Sequence, residues 1–213
     1  MITDKLYQSY FNYLLNGKRY ECTQIVQELL DKDVDIHTLY ETLFQNSLYE
    51  VGRLWELNKI SVAREHLATA ITESLLNLAY PKLFEREHEG TGKSVVISCA
   101  ANEYHQIGGK MVADIFELNG WDSHFLGANT PVDHMLEYIQ ETGPDLVCLS
   151  LSIFFNMPSL KSGVEAVRSN FRHTDILVGG QAFKWGGLDT IKKYAATEYI
   201  PTLDELEKAI KSS

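Results

Sequence analysis

The spacing of apolar residues changes near residue 90, and this change constrains the fold more than any other feature of the chain. Before it, apolar residues recur at helical intervals, as in Leu6, Tyr10, Tyr13 and Leu14 and again in Ile25, Val26, Leu29 and Leu30, with no strand-like alternation over residues 3–88. After it, short β-rich runs alternate with helical stretches. A chain of this kind cannot bury both patterns in one layer. It divides into a helical bundle followed by a sheet covered by helices on both faces.

In the first part, breaks fall at Asn16-Gly17, over Asp31 to Asp35, and at Asn58-Lys59, where Ser61 is placed to cap a long helix running to about Glu87. Pro81 is expected to kink or shorten that helix. Short connections make neighbouring helices antiparallel, which predicts a four-helix bundle over residues 1–89. Glu89-Gly90-Thr91-Gly92-Lys93 reads as a polar hinge opening the second domain, residues 90–213. Its predicted strands are Val95-Val96-Ile97-Ser98, Ser123-His124-Phe125-Leu126, Leu146 to Ser150, Ile176-Leu177-Val178 and Glu198-Tyr199-Ile200, with helices starting near Gly108, Pro131, Pro158, Leu188 and Leu203. This is a Rossmann-like, flavodoxin-like five-stranded parallel sheet. Its ligand crevice is expected beyond the carboxyl ends of the first and third strands, where the winding reverses.

A formal charge of -10, with no cluster of Lys and Arg, argues against direct nucleic-acid binding. No basic-then-apolar leader opens the chain and no run of about 18 apolar residues occurs, so membrane association is not expected and the location reads as cytoplasmic. Cys22, Cys99 and Cys148 are odd in number and far apart, a pattern of buried packing residues rather than of a disulfide frame or a zinc site.

The loop after the first predicted strand carries the chemistry. Ala101-Asn102-Glu103-Tyr104-His105-Gln106-Ile107-Gly108-Gly109 places an imidazole at the crevice mouth with an acid two positions earlier. Such a carboxylate can hold one ring nitrogen and leave the other to a transition metal. Gly108 is expected to let the loop turn tightly into its helix beneath a large flat ligand. Ser150 and Ser152 end the third strand, and Gly179-Gly180 end the fourth, all at the same edge.

These residues resemble the cobalamin (vitamin B12)-binding domain of methionine synthases, mutases and corrinoid carrier proteins, over residues 94–211. The resemblance implies cobalamin bound base-off, with His105 as the lower axial cobalt ligand and Gly108 as the motif glycine. It places Ser150 and Ser152 in the pocket of the nucleotide tail, Gly179 and Gly180 beside that tail, and Gln106 and Ile107 along the loop's side of the site. Glu103 stands where many members have Asp, and the longer carboxylate still reaches an imidazole nitrogen.

The helical part adds Trp55, nine intervening residues, then Glu65-His66. With Val62 this is similar to the light-sensing adenosylcobalamin domains of CarH and LitR-type regulators. The likeness implies that Trp55 stacks on adenine, Val62 forms a small wall, and Glu65 accepts hydrogen bonds from ribose. The cofactor would lie between bundle and sheet domain. Two departures stand out: the chain begins at the bundle, where such repressors carry a DNA-binding domain, and Glu56 occupies the position at which some members have a second histidine. His66 is then the candidate upper ligand after the adenosyl group has left. The leading expectation is a stand-alone adenosylcobalamin sensor, not an enzyme in its own right. It would signal through a homo-oligomer or a separate regulatory protein. One alternative is a corrinoid methyl carrier serving partner methyltransferases, with methylcobalamin or hydroxocobalamin as other forms of the cofactor. A more distant one is a haem- or tetrapyrrole-binding antirepressor.

Overall fold

A computed structural model of the chain describes residues 2–84 and 90–212, which form two compact units. The expected domain boundary after residue 89 and the expected helix end near Glu87 lie outside the described residues.

In the first unit each break foreseen from the sequence has a local cause. Thr3 accepts the Leu6 N–H and opens α1 (Asp4–Leu15), and Gly17, at φ +67°, turns the chain into α2 (Arg19–Asp31). Asp33 adopts φ +52°, and Asp35 then caps a long helical run by accepting the Thr38 N–H at 2.9 Å. That run is α3 (Ile36–Thr38), a π-helical segment (Leu39–Gln45) and α4 (Asn46–Glu56). Within the π segment Leu39, Tyr40, Leu43 and Phe44 are all buried, a detail that the 3.6-residue period does not reveal. Asn58, at φ +55°, closes the run, and the Ser61 hydroxyl accepts the Arg64 N–H to start α5 (Val62–Leu83). Pro81 lies in the last turn of α5 and does not break it. Tyr10, Cys22, Val26, Ile71 and Leu76 fill the core of this unit.

The second unit begins earlier than a free hinge would allow. The Thr91 N–H donates to the Gly120 carbonyl at 2.8 Å, and the Lys93 ammonium lies 5.3 Å from the centre of the Trp121 ring. Residues 91–93 are therefore fastened to this unit, contrary to the reading of Gly90 to Lys93 as a hinge. The chain then forms β1 (Ser94–Cys99), α6 (Ile107–Leu118), β2 (Asp122–Phe125), α7 (Val132–Thr142), β3 (Leu146–Ser150), α8 (Met157–Asn170), β4 (Asp175–Gly179), α9 (Leu188–Ile191), β5 (Thr197–Tyr199) and α10 (Leu203–Ser212). The strands are parallel in the order β2-β1-β3-β4-β5. Helices α6 and α10 pack together, as do α7 and α8. Val96, Val147, Leu149, Leu160, Val164 and Val178 belong to one continuous core. No helix among the described residues is long and apolar enough to cross a membrane.

The register sets Cys99 beside Ser150 and Ser150 beside Gly179, so the ends of β1, β3 and β4 reach one edge together. At that edge Gly180 has φ +113°, and a Cβ there would lie 2.1 Å from the Leu151 carbonyl oxygen. Gly143 ends α7 at φ +57° with nothing within 4 Å of an added Cβ. We expect Gly180→Ala to lower the unfolding free energy by at least about 2 kcal/mol. Gly143→Ala should cost only about 1 kcal/mol, for left-handed backbone alone. Urea denaturation followed by circular dichroism tests the ranking, and equal losses would show that the Leu151 backbone yields.

Candidate cofactor site

The Glu103 carboxylate is fully buried, and both its oxygens are used. One accepts from the His105 ring, with Nδ1 at 2.6 Å, and from the His105 backbone N–H at 3.0 Å. The other accepts the N–H groups of Ser152 and Ile153, each at 2.9 Å. Burial pushes the carboxyl pKa up. The donors from the His105 ring and from the Ile153, His105 and Ser152 backbones outweigh it and hold the group below the ordinary carboxylate range.

An ionised carboxylate offers only acceptors, so Nδ1 of His105 carries the proton, and in the neutral ring the lone pair sits on Nε2. The imidazole is 48% exposed while its partner is wholly buried. It is thus held by Nδ1 against a buried carboxylate, as metal-ligating histidines are held by their outer carboxylates. Among the described residues no group of three or more His, Cys, Asp or Glu side chains could hold a metal ion. A metal bound at His105 would need its remaining ligands from the molecule that carries it.

The other residues singled out from the sequence fall into place unevenly. Gly108 lies in the first turn of α6 without positive φ, and an added Cβ there meets nothing within 4 Å. The expected tight turn is therefore absent, and the glycine leaves open space on the surface beside His105. Its neighbour Gly109 is the packing glycine, since a Cβ there would approach the Phe125 ring to 2.9 Å. Gln106 precedes α6, with its amide oxygen 3.5 Å from where a Gly127 Cβ would stand, whereas Ile107 is buried. Ser150 and Ser152 are half-buried, and the backbone of Ser152 rather than its hydroxyl reaches Glu103. Gly179 and Gly180 are explained by the protein's own backbone: an added Cβ on Gly179 would stand 3.1 Å from the Ile200 carbonyl oxygen, and one on Gly180 would strike Leu151. All three cysteines are buried free thiols, with Cys99 pushed up to about 12 by burial and by Glu103.

In the first unit, Trp55 lies in the last turn of α4 and Val62 begins α5, and they are 41% and 49% exposed. Glu65 follows in the first turn of α5, its carboxylate accepting from the Thr69 hydroxyl at 3.0 Å and lying 3.5 Å from His66 Nε2. Leu57 is exposed in the same α4–α5 connection.

Sequence reasoning missed the residues that brace the His105 loop. Asn102 adopts φ +64° and donates its N–H to the Asn129 side-chain oxygen at 2.8 Å, while the Asn129 N–H donates to the Glu103 carbonyl at 2.8 Å. Asn156 donates to the Asn102 carbonyl, and Asn102 donates to Ser159. Asparagine in left-handed backbone is the one signal that pointed to Asn102 and Asn129, and it needs the fold to be read. Also unforeseen are the exposed aromatics Tyr104 and Phe155, the latter 89% exposed.

A parallel sheet with an imidazole held from behind at its switch point is an arrangement that can meet a large ligand at that edge. The B12 binding domain family matches residues 93–199, and a second B12 binding domain family matches residues 6–80, so the chain belongs to the B12-binding proteins. It is similar to the HTH-type transcriptional repressor CarA of Myxococcus xanthus, at 32% identity over 93 residues, which is 43% of this chain and 31% of the repressor. The chain thus spans under a third of that relative. Dimethylamine corrinoid protein 1 of Methanosarcina acetivorans is 22% identical over 70% of each chain. The fold is that of the monomethylamine corrinoid protein of Methanosarcina barkeri, with a TM-score of 0.81 over 96% of this chain and 97% of that one, at 16% identity.

Removing the Glu103 carboxylate leaves the Ser152 and Ile153 N–H groups without their acceptor, at about 1–3 kcal/mol each. Glu103→Ala should therefore lower the stability of the cofactor-free protein by about 3 kcal/mol or more. His105→Ala removes one of the four donors to the buried carboxylate and leaves the three backbone donors in place, so it should cost less, about 1.5–2 kcal/mol. Chemical denaturation of both variants checks this, and comparable losses would mean that the imidazole, not the carboxylate, holds the loop together.

Proposed function

We propose that this cobalamin-binding protein is an adenosylcobalamin-dependent sensor, responsive to light, with its output passed by protein contacts to a second copy or to a separate regulator. On this reading it is a binding and signalling module and not an enzyme by itself. The observation that carries it is the pair Trp55 and Val62, apolar side chains left at the surface near Glu65 at the α4–α5 connection. An indole and a carboxylate so placed suit an adenine face and ribose hydroxyls. The likeness to a transcriptional repressor, CarA, supports a regulatory role.

His105 is the proposed lower cobalt ligand, kept in the Nδ1-protonated form by Glu103. Gly108 leaves room for the corrin on that side, and Gln106, Ser150, Ser152, Gly179 and Gly180 are the proposed neighbours of the nucleotide tail. Bound adenosylcobalamin supplies a weak, photolabile cobalt–carbon bond, a property of the cofactor itself. Trp55, Val62 and Glu65 would hold the adenosyl group and would lose those contacts once it has left, and His66 is the candidate ligand for cobalt after that loss. A ligand shifts a conformational equilibrium only through differential contacts, and these are the contacts that change.

A second reading, a methyl-carrying corrinoid protein, is favoured by the fold similarity to the monomethylamine corrinoid protein along nearly the whole chain. The two differ in what Trp55 does. For a sensor, Trp55→Ala should weaken adenosylcobalamin binding about tenfold and hydroxocobalamin binding by less than about threefold. Equal losses would favour the carrier. The sensor reading further requires that green light alter the scattering profile, oligomeric state or partner binding of the adenosylcobalamin-loaded protein. If photolysis proceeds with none of these changing, that reading is lost.

A further inference from the structure

We infer that Asn129, in the loop between β2 and α7, is a positioning residue for the cobalt-ligating imidazole; this rests on the proposal that His105 is the lower ligand. Residues 102–105 lie between β1 and α6, outside any strand ladder, so their geometry depends on bonds from elsewhere. One side of the loop is held through the second oxygen of Glu103 and through Asn156 and Ser159, all reaching the segment after β3. The opposite side is held by Asn129, which bonds the loop twice in reciprocal fashion. Its side-chain oxygen accepts the Asn102 N–H, and its own N–H donates to the Glu103 carbonyl, both at 2.8 Å.

The two asparagines share an unusual backbone. Asn102 is at φ +64° and Asn129 at φ +51°, conformations that disfavour most side chains and that Asn tolerates. The donor in the first bond is a backbone N–H, so the accepting atom of Asn129 must be Oδ1. Gly127, at φ +86°, bends the same loop, and its carbonyl accepts the Cys99 N–H at the end of β1. Asn129 therefore stands on a support tied to the strand that launches the His105 loop. Through the Glu103 main chain it sets where the carboxylate starts, and through the carboxylate, how the imidazole is aimed. Losing the Oδ1 bond frees the Asn102 end and should lower the occupancy of the ligating pose by about five- to tenfold, the weight of one good hydrogen bond.

The test uses the full-length protein and cob(II)inamide, which lacks the nucleotide base, so that any nitrogen ligand seen by electron paramagnetic resonance comes from the protein. Wild type should show nitrogen superhyperfine splitting, and His105→Ala should abolish it. Asn129→Gly keeps the left-handed backbone but removes the acceptor, and should lower the nitrogen-bound fraction markedly. Asn129→Asp restores an acceptor and should return most of it. Thr130→Ala, which removes a hydroxyl bonded to the Leu126 carbonyl in the same loop, should leave the fraction as in wild type. If the Gly variant does not fold, Asn129→Ser, whose shorter side chain does not reach Asn102, takes its place. A wild-type fraction in the folded Gly or Ser variant overturns the inference, as does failure of Asp to exceed it or an equal loss in Thr130→Ala. A His105→Ala protein that keeps the splitting sinks the reading of His105 itself, a result distinct from those.

Discussion

A carboxylate withdrawn wholly from water is tolerated only when its charge is answered on the spot, and the edge of the second unit is organised around doing so for Glu103. Four donors converge on it: one imidazole N–H and three backbone N–H groups. Because three belong to the main chain, the ion is answered by the fold and not by a mobile partner. The side-chain donor is the one that can also meet a metal. The arrangement turns the burial of a charge into the orientation of a ring, and it fixes the proton on Nδ1 without a second titratable group.

The parallel sheet makes this possible by bringing distant segments to one level. In a ladder whose register sets Cys99, Ser150 and Gly179 side by side, the backbones leaving β1 and β3 emerge within hydrogen-bonding reach of each other. The Ala100 N–H already donates to the Ser150 carbonyl, and Glu103 extends the same connection three residues further. Gly180 lets the chain leaving β4 close against Leu151, which holds the β3 exit from its other side. The positions of Ser152 and Ile153, and so the donors for Glu103, depend on that closure.

Much of this was legible in the sequence, because the signals were local. Helix breaks at Gly17, Asp33 and Asn58, the Ser61 cap and all five strands follow from turn chemistry and apolar spacing, each within a few residues. The Glu103–His105 pair was legible too, since a two-residue gap lets a side chain fold back onto its neighbour. Partners from far along the chain were not. Nothing in Ser152-Ile153 or Asn129 announces that they serve residue 103, because those bonds exist only once strands β1, β2 and β3 are in register. One glycine misled: Gly108 was credited with a turn that it does not make, while Gly179 and Gly180, expected beside the nucleotide tail, also stand close to backbone of their own unit. A missing side chain records that something comes close, and only the fold says what. The π-helical segment was invisible because one extra residue per turn disturbs the apolar period less than ordinary variation does.

The two readings of function share everything below the corrin and part above it, and the physics of the lower side explains why. An imidazole pinned through Nδ1 would serve any base-off corrinoid, whether its upper group is to be transferred or only recognised. It cannot distinguish the tasks. Discrimination must come from groups that meet the upper substituent, and there the demands are opposed. A carrier has to leave that side accessible to a partner enzyme, so bulky apolar side chains have no chemical duty there. A sensor has to bind the substituent differently before and after its loss, so it needs surface that is better covered in one state than in the other. In the proposed sensor Trp55 and Val62 would be such a surface, since both are substantially solvent-exposed in the first unit and covering each is worth on the order of 1–3 kcal/mol. A difference of that size, applied at two residues, is enough to move a conformational equilibrium by one to two powers of ten or more. On the proposed reading, the side chains at the α4–α5 connection, and not the fold, are where the sensor and the carrier would part.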